Sequence, residues 1–274
     1  MEGGAARRWA EALGRWAIPD EIMAAAPEPP WGLPPEMFRV SVRPSPPDSA
    51  SRRSALEALA ALGGAAPAGR GPSVLDVGCG GGAAGMALVP PATAVTGVDQ
   101  SSGMLANFAE AAVAAGVEHR EVAGRWPEVA AQAGTADVVV CHHVVYNVAA
   151  IGPFVAALAA AARRRVVVEL TDVHPTSPMT PLWRQFWDLD RPDEPTSDLF
   201  VEVVREAGWA PGLAHQVRPV VRGVGDDAYA AFVRRRLCLP AERQPEVSAA
   251  LAALAQTSAF TSAVTTLWWD TGAG

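Results

Sequence analysis

Two hydrophobic periods run through this chain. Short apolar runs of the type that forms buried strands recur at 73–77, 94–98, 117–122, 137–141 and 166–170. Between them lie stretches with apolar residues three and four apart, the spacing of a helix face. These predict helices at 49–63, from the end of a glycine run to about Leu88, at 102–115 with a stop at Gly116, after Pro127, at 152–162 and at 197–207. Ala55, Leu56, Leu59 and Leu62 mark the inward face of the first, and Gly63-Gly64 its stop. Strands alternating with helices imply right-handed βαβ units and a parallel sheet.

The ends of the chain depart from that rhythm. Trp9, Leu13 and Trp16 fall on one face of a helix over 5–17, and a second short helix is expected from Asp20 to just before Pro27. Prolines between 27 and 47 forbid long regular elements there. Trp31, Met37 and Phe38 lie among them, which favours a cap laid over a site above a loose leader. Residues 171–195 are proline-rich and carry Trp183, Phe186 and Trp187. A connection of that length after a strand's carboxyl end reads as a lid. Strands are expected at 215–221 and 264–269, with helices at 226–237 and 245–256 between them. The expected organisation is an N-terminal cap over 1–50 and one domain over 51–274, with a lid at 171–195 and a helical insertion at 223–260. Arg163-Arg164-Arg165 follows a helix whose C-terminal end positive charge suits, and is read as structural or solvent-facing; Arg234-Arg235-Arg236 is read as a solvated face in preference to a grip on an acidic acceptor or a partner.

The most informative stretch is Val74-Leu75-Asp76-Val77-Gly78-Cys79-Gly80-Gly81-Gly82. An apolar strand ends in an acid and then in glycines, which lack a Cβ and let a ligand lie on the backbone. A second strand ends in Asp99, about 20 residues further on, where a carboxylate can accept hydrogen bonds from ribose hydroxyls. Alone, Gly78-Cys79-Gly80-Gly81-Gly82-Ala83 also fits a dinucleotide loop, so the glycines indicate an adenosine-type ligand without choosing NAD or another nucleoside.

The wider context chooses. Asp76-Val77-Gly78-Cys79-Gly80-Gly81-Gly82, followed by Gly97-Val98-Asp99-Gln100-Ser101-Ser102-Gly103-Met104-Leu105, resembles the class I S-adenosylmethionine-dependent methyltransferase family over about residues 50–210. The resemblance implies an α/β, doubly wound Rossmann-like fold. Its seven-stranded sheet would be mostly parallel, with strand 7 antiparallel and an N-terminal helical cap outside the common core. It implies S-adenosylmethionine as cofactor. Gly78, Gly80 and Cys79 would lie against its methionine part, Asp76 would hold the loop and the ammonium end, Asp99 the ribose, and Gln100 and Met104 the adenine. Relatives place an acid after strand 3; here Gly124-Arg125-Trp126 stands there, so Arg125 backbone atoms or a stacked Trp126 would replace it. Strand 4 ends in Cys141-His142-His143-Val144-Val145-Tyr146. Because side chains alternate along a strand, His142 is expected at the cofactor while His143 or Tyr146 reaches the acceptor. His174 is a second candidate base, since imidazole titrates near neutrality. Structural histidines are the competing reading.

Composition narrows the partners. The net charge of −7 disfavours a nucleic-acid polyanion. Every Lys/Arg position is Arg, which with abundant Ala, Gly and Pro reflects a GC-rich coding bias. Cys79, Cys141 and Cys238 are too scattered for a disulfide framework or zinc cluster, and no metal site is expected. No signal pattern or membrane-length apolar run stands out, so a cytoplasmic monomer or homodimer with a small-molecule acceptor is expected. Protein- or RNA-directed methyl transfer, a non-catalytic nucleoside-binding protein and an NAD-dependent dehydrogenase are the alternatives.

Overall fold

A computed structural model describes residues 3–31, 48–62, 71–219, 227–257 and 261–272. The expected positions of Met37, Phe38, Gly63-Gly64 and Val221 lie outside them, as do the first residues of the helical insertion.

The sequence rhythm folds as a seven-stranded sheet in the order β3-β2-β1-β4-β5-β7-β6. The strands are β1 (Ser73–Val77), β2 (Ala94–Asp99), β3 (Glu118–Ala123), β4 (Ala136–His142), β5 (Ala162–Thr171), β6 (Gly212–Pro219) and β7 (Thr261–Asp270). The first five are parallel neighbours, and β7 runs antiparallel to both β5 and β6. The chain builds outward from β1 to β3, then returns to lay β4 on the other side of β1. The crevice at that reversal, beyond the strands' carboxyl ends, is where open α/β sheets hold ligands.

The helices are α1 (Gly4–Gly14), α2 (Asp20–Ala25), α3 (Ala50–Ala60), α4 (Ala83–Met86), α5 (Ser102–Ala115), α6 (Ala130–Ala133), α7 (Ile151–Ala161), α8 (Thr180–Trp187), α9 (Ser197–Glu206), α10 (Asp227–Arg236) and α11 (Gln244–Thr257). Both faces of the sheet are covered. On one, Trp9 of α1, Phe154 and Leu158 of α7 and Phe200 of α9 pack with Leu75, Val139 and Val168. On the other, Leu59 of α3, Ala84 of α4 and Phe108 of α5 pack with Val74, Val138 and Val167. Alternating burial on two faces is why these strands read as continuous apolar runs.

A third core stands apart from the sheet. Ile18 and Ile22 of the leader, Leu182 and Trp183 of the lid, and Val233, Leu237, Val247 and Leu251 of the insertion pack together. Three stretches distant in sequence thus share one apolar cluster.

Several boundaries differ from expectation. α4 stops at Met86, before Leu88, and the chain then turns through Leu88 and Val89 toward Pro90-Pro91, which have no N–H to continue a helix. α6 is a single turn ended by Gly134. β6 begins at Gly212, earlier than expected, because Gly212 lets the backbone pass the Trp268 ring; an added Cβ would lie 2.4 Å from that ring. Of its two readings, the Arg163-Arg164-Arg165 trio takes the structural one and is not solvent-facing. It opens β5, where Arg163 pairs with Asp137 at 2.9 Å and Arg165 with Asp270 at 2.7 Å. Nor is Arg234-Arg235-Arg236 a solvated face: Arg234 is buried, donates to the Leu239 carbonyl and pairs with Glu28.

Candidate active site

The glycine loop is shaped by its own backbone. Gly78, Gly80 and Gly82 take φ of 70°, 49° and 87°, a region L-residues avoid. The Gly78 and Cys79 N–H groups both donate to the Val98 carbonyl, which ties the loop to the end of β2. Asp76 stays buried beneath it and accepts from the Gly85 N–H at 2.8 Å. Burial lifts this carboxyl to about 7 against the pull of the Gly85 bond, with the Asp99 charge adding to the rise. Asp99 accepts from the Gly80 N–H at 3.0 Å with one oxygen and from the Ser101 N–H at 2.9 Å with the other. Each carboxylate oxygen has a second lone pair, so both remain able to accept from hydroxyls.

The other expected cofactor contacts scatter around this frame. Gln100 and Arg125 are exposed, whereas Met104 and Trp126 are buried. Trp126 belongs to the core cluster of Val98, Val122 and Val145, and its indole N–H has no partner among the described residues. Cys79 is buried with Sγ 3.5 Å from the Gly80 carbonyl. Burial pushes its thiol far above the ordinary value, so it stays neutral.

At the end of β4 the two histidines diverge, with ring planes at 79°. His142 turns toward Ser51, Arg52 and Ala84, and its Nε2 is covered and unpartnered among the described residues. Burial lowers it to about 4, so it is neutral at pH 7. His143 takes φ of 58°, which swings its ring outward; its side chain is 47% exposed. Its N–H donates to the Glu169 carbonyl at 2.7 Å, and its Nε2 lies 3.4 Å from the Glu169 carboxylate. Glu169 is itself buried and gripped by both nitrogens of the Arg218 fork at 2.9 Å. Burial alone would raise its pKa; the His143 bond and the Arg218 clamp outweigh that and hold it ionised, well below the usual carboxylate range. Val144 packs over the loop, where an added Cβ on Gly78 would meet it at 2.3 Å. Strand 4 and the glycine loop therefore share one wall.

Tyr146 is committed to the fold. Its hydroxyl donates to the Thr171 carbonyl at 2.6 Å and its ring stacks on Trp9 at 5.4 Å. His174 stacks on Trp16 at 3.9 Å, with Nδ1 2.8 Å from the Thr176 hydroxyl. Burial and then the Arg191 charge lower it to about 4. His174 lines a pocket of about 70 Å³ together with Trp16, Trp31, Trp183, Arg191 and Arg236. Tyr146, edge-on to His174 at 5.4 Å, joins this pocket to the end of β4.

Glu169 and Arg218 did not stand out as site residues in the sequence. A signal existed for the first: Glu169 is a lone charge inside Val166-Val167-Val168-Glu169-Leu170, a run otherwise apolar. Arg218 carried none, because its partner is remote in sequence. Among the described residues there is no grouping of three metal-ligating side chains, and no helix long and apolar enough to cross a membrane.

Comparison with known proteins agrees with this geometry. Residues 74–166 match the methyltransferase domain family. Among solved structures, a cyclopropane-fatty-acyl-phospholipid synthase-like protein from Lactobacillus casei ATCC 334 superposes with a TM-score of 0.52 at 16% identity, over 86% of this chain and 98% of that one. Magnesium protoporphyrin IX methyltransferase from Synechocystis PCC 6803, with bound SAH, gives 0.46 at 14% identity, over 80% and 83%. YcgJ protein from Bacillus subtilis gives 0.49 at 16% identity, over 80% and 99%. A search of curated proteins returns no match. At 16% identity the first of these structures, with the TM-score of 0.52, speaks to the fold alone. Residues 74–166 thus match a methyltransferase domain, set in the seven-stranded Rossmann-like sheet described above. The protein is an enzyme that takes S-adenosylmethionine as its methyl donor.

The residues present suit that donor. Gly80 faces open space, with nothing within 4 Å of an added Cβ, so the loop leaves room where a side chain would fill it. Asp76 is a buried carboxyl with no cation at ion-pair distance among the described residues, and Asp99 has lone pairs to spare for a sugar.

Proposed function

We propose that this methyltransferase acts on a small-molecule acceptor held under the cap, and that His143 takes the acceptor's proton. When bound, the donor supplies an electrophilic methyl group on a positive sulfonium, and the protein's part is alignment and proton removal. The loop glycines, Asp76 and Asp99 would hold the donor. Glu169, ionised and able only to accept, fixes the proton of His143 on the facing Nε2. Nδ1 is then left with its lone pair for the acceptor's proton. The methyl group would pass to the acceptor's nucleophile as its bond to sulfur gave way, the bonding electrons staying on sulfur. Arg218 keeps Glu169 charged and oriented while this happens.

The observation that carries the reading is enclosure. Leader, lid and insertion share one apolar core, and between them they close a pocket just past the ends of β4 and β5. Such a space admits a small molecule better than a folded chain or duplex. The test is methyl-labelled donor offered to phenolic, carboxylic and amine acceptors, with total protein and RNA in parallel. Label is expected in the small-molecule fraction; label confined to protein or RNA would refute the acceptor class. His143→Gln is expected to cut turnover by about 100-fold or more while S-adenosylhomocysteine still binds. Unchanged turnover would remove His143 as the base.

A further inference from the structure

The cap pocket carries charge that the transfer step does not use. The Arg191 guanidinium lies 5.1 Å from the centres of both the Trp16 and the Trp183 rings. Its terminal nitrogens donate to the Trp16 and Ala17 carbonyls, and its Nε is covered without a partner among the described residues. The Arg236 guanidinium lies 5.4 Å from the Trp31 ring and 5.2 Å from Phe232. Its Nε is likewise covered and unpartnered among the described residues. Around them, other arginines have found acids: Arg15 with Glu194, Arg184 with Asp190, Arg234 with Glu28 and Arg243 with Glu246. Arg191 and Arg236 have no carboxylate at ion-pair distance among the described residues.

Two cations drawn out of water with no counter-charge are costly unless something anionic completes the site. Burial pushes both guanidinium pKa values down, with Arg235 adding to the effect on Arg236. Arginine nonetheless stays charged in proteins. The pocket holds about 70 Å³, and a water's share of liquid volume is about 30 Å³, so a carboxylate-sized group fits. Trp31 is the wall that remains open: it is 57% exposed beside Arg236 and offers an aromatic face to a planar ligand. Arginine forks match carboxylates in shape as well as charge.

From these observations we infer that the cap pocket, between Arg191 and Arg236 and against Trp31, binds the carboxylate of a planar aromatic acid that serves as methyl acceptor. This rests on the small-molecule reading above and specifies its substrate class. The test is calorimetric titration of the full chain with benzoate, its neutral analogue benzamide and inorganic phosphate, with and without S-adenosylhomocysteine. Benzoate is expected to bind at least ten-fold tighter than benzamide and tighter than phosphate. Arg236→Gln, which breaks no side-chain hydrogen bond among the described residues, is expected to weaken benzoate ten-fold or more and leave S-adenosylhomocysteine affinity unchanged. Trp31→Ala, the loss of an exposed ring, is expected to weaken benzoate in the same way. Equal binding of benzoate and benzamide, or a benzoate Kd indifferent to both substitutions, overturns the inference. Phosphate binding as tightly as benzoate overturns the carboxylate assignment. Failure to bind S-adenosylhomocysteine would instead count against the donor site, so the two readings fall separately.

Discussion

The glycine loop and the cap pocket lie past the same edge of the sheet, but they are assembled by opposite means. The loop draws Asp76, Gly78, Gly80 and Asp99 from two neighbouring strands and the turn between them, and its shape is held by backbone bonds to Val98 and by Asp99 itself. The pocket gathers Trp16 and Trp31 from the leader, His174, Trp183 and Arg191 from the lid, and Arg236 from the insertion. One site is a local device whose geometry follows from residue type. The other exists only because three remote segments share an apolar core. The difference explains why the donor was readable and why the acceptor class had to await side-chain positions.

That contrast can be broken or sharpened by substitution. Gly78→Ala should have the largest effect, since an added Cβ would lie 2.3 Å from Val144 at a φ of 70°. Strain and clash together should weaken S-adenosylhomocysteine binding by about 100-fold or more. Wild-type affinity by calorimetry would show that the loop is not the backbone cradle described. Asp99→Ala should weaken the same ligand by about 1–3 kcal/mol, the worth of hydrogen bonds to a charged group, while benzoate binding in the cap stays unchanged. An unaltered donor affinity would take Asp99 out of the site.

The next effect is on pH dependence. Asp76 titrates at about 7 in the free protein, and a bound ammonium would favour its charged form, so binding should expel a proton below that pH. Affinity for S-adenosylhomocysteine should then climb between roughly pH 5 and 7, by at most about ten-fold per unit, and level off above. Asp76→Asn should flatten the profile; a flat profile in the unmodified protein would detach Asp76 from the ammonium. The same shift has a stability consequence. Between 3.8 and about 7 the folded carboxyl keeps a proton that the unfolded chain has released, so the ligand-free protein should lose stability as pH rises through this window. The smallest expected change is Tyr146→Phe. It removes the bond to the Thr171 carbonyl and should cost about 1 kcal/mol in urea unfolding, with turnover retained. Lost turnover at normal stability would return Tyr146 to the acceptor.

Much of this was legible in residue order. β1 and α5 fall at their expected bounds, because a strand before glycines and a serine-capped helix ending at Gly116 are defined by local chemistry. Errors gathered where local preference met a tertiary demand. The Arg234 trio suits a solvated helix face by charge alone, yet the Leu239 carbonyl and Glu28 hold Arg234 buried. Strand alternation foretold that the two histidines at the end of β4 would part. Which one faces outward depended on the positive φ at His143 and on Glu169, whose state depends on Arg218.

Residue order by itself determined the parallel sheet, the glycine turn, the paired acids Asp76 and Asp99, and with them the class of donor, because these rest on backbone freedom and strand period over short spans. Tertiary structure alone decided that Glu169 is clamped beside His143, that Tyr146 belongs to the core, and that Arg191 and Arg236 share a tryptophan-lined pocket with no acid among the described residues lining it. Those facts rest on desolvation and charge pairing between distant segments, and such energies exist only once the chain has brought the groups together.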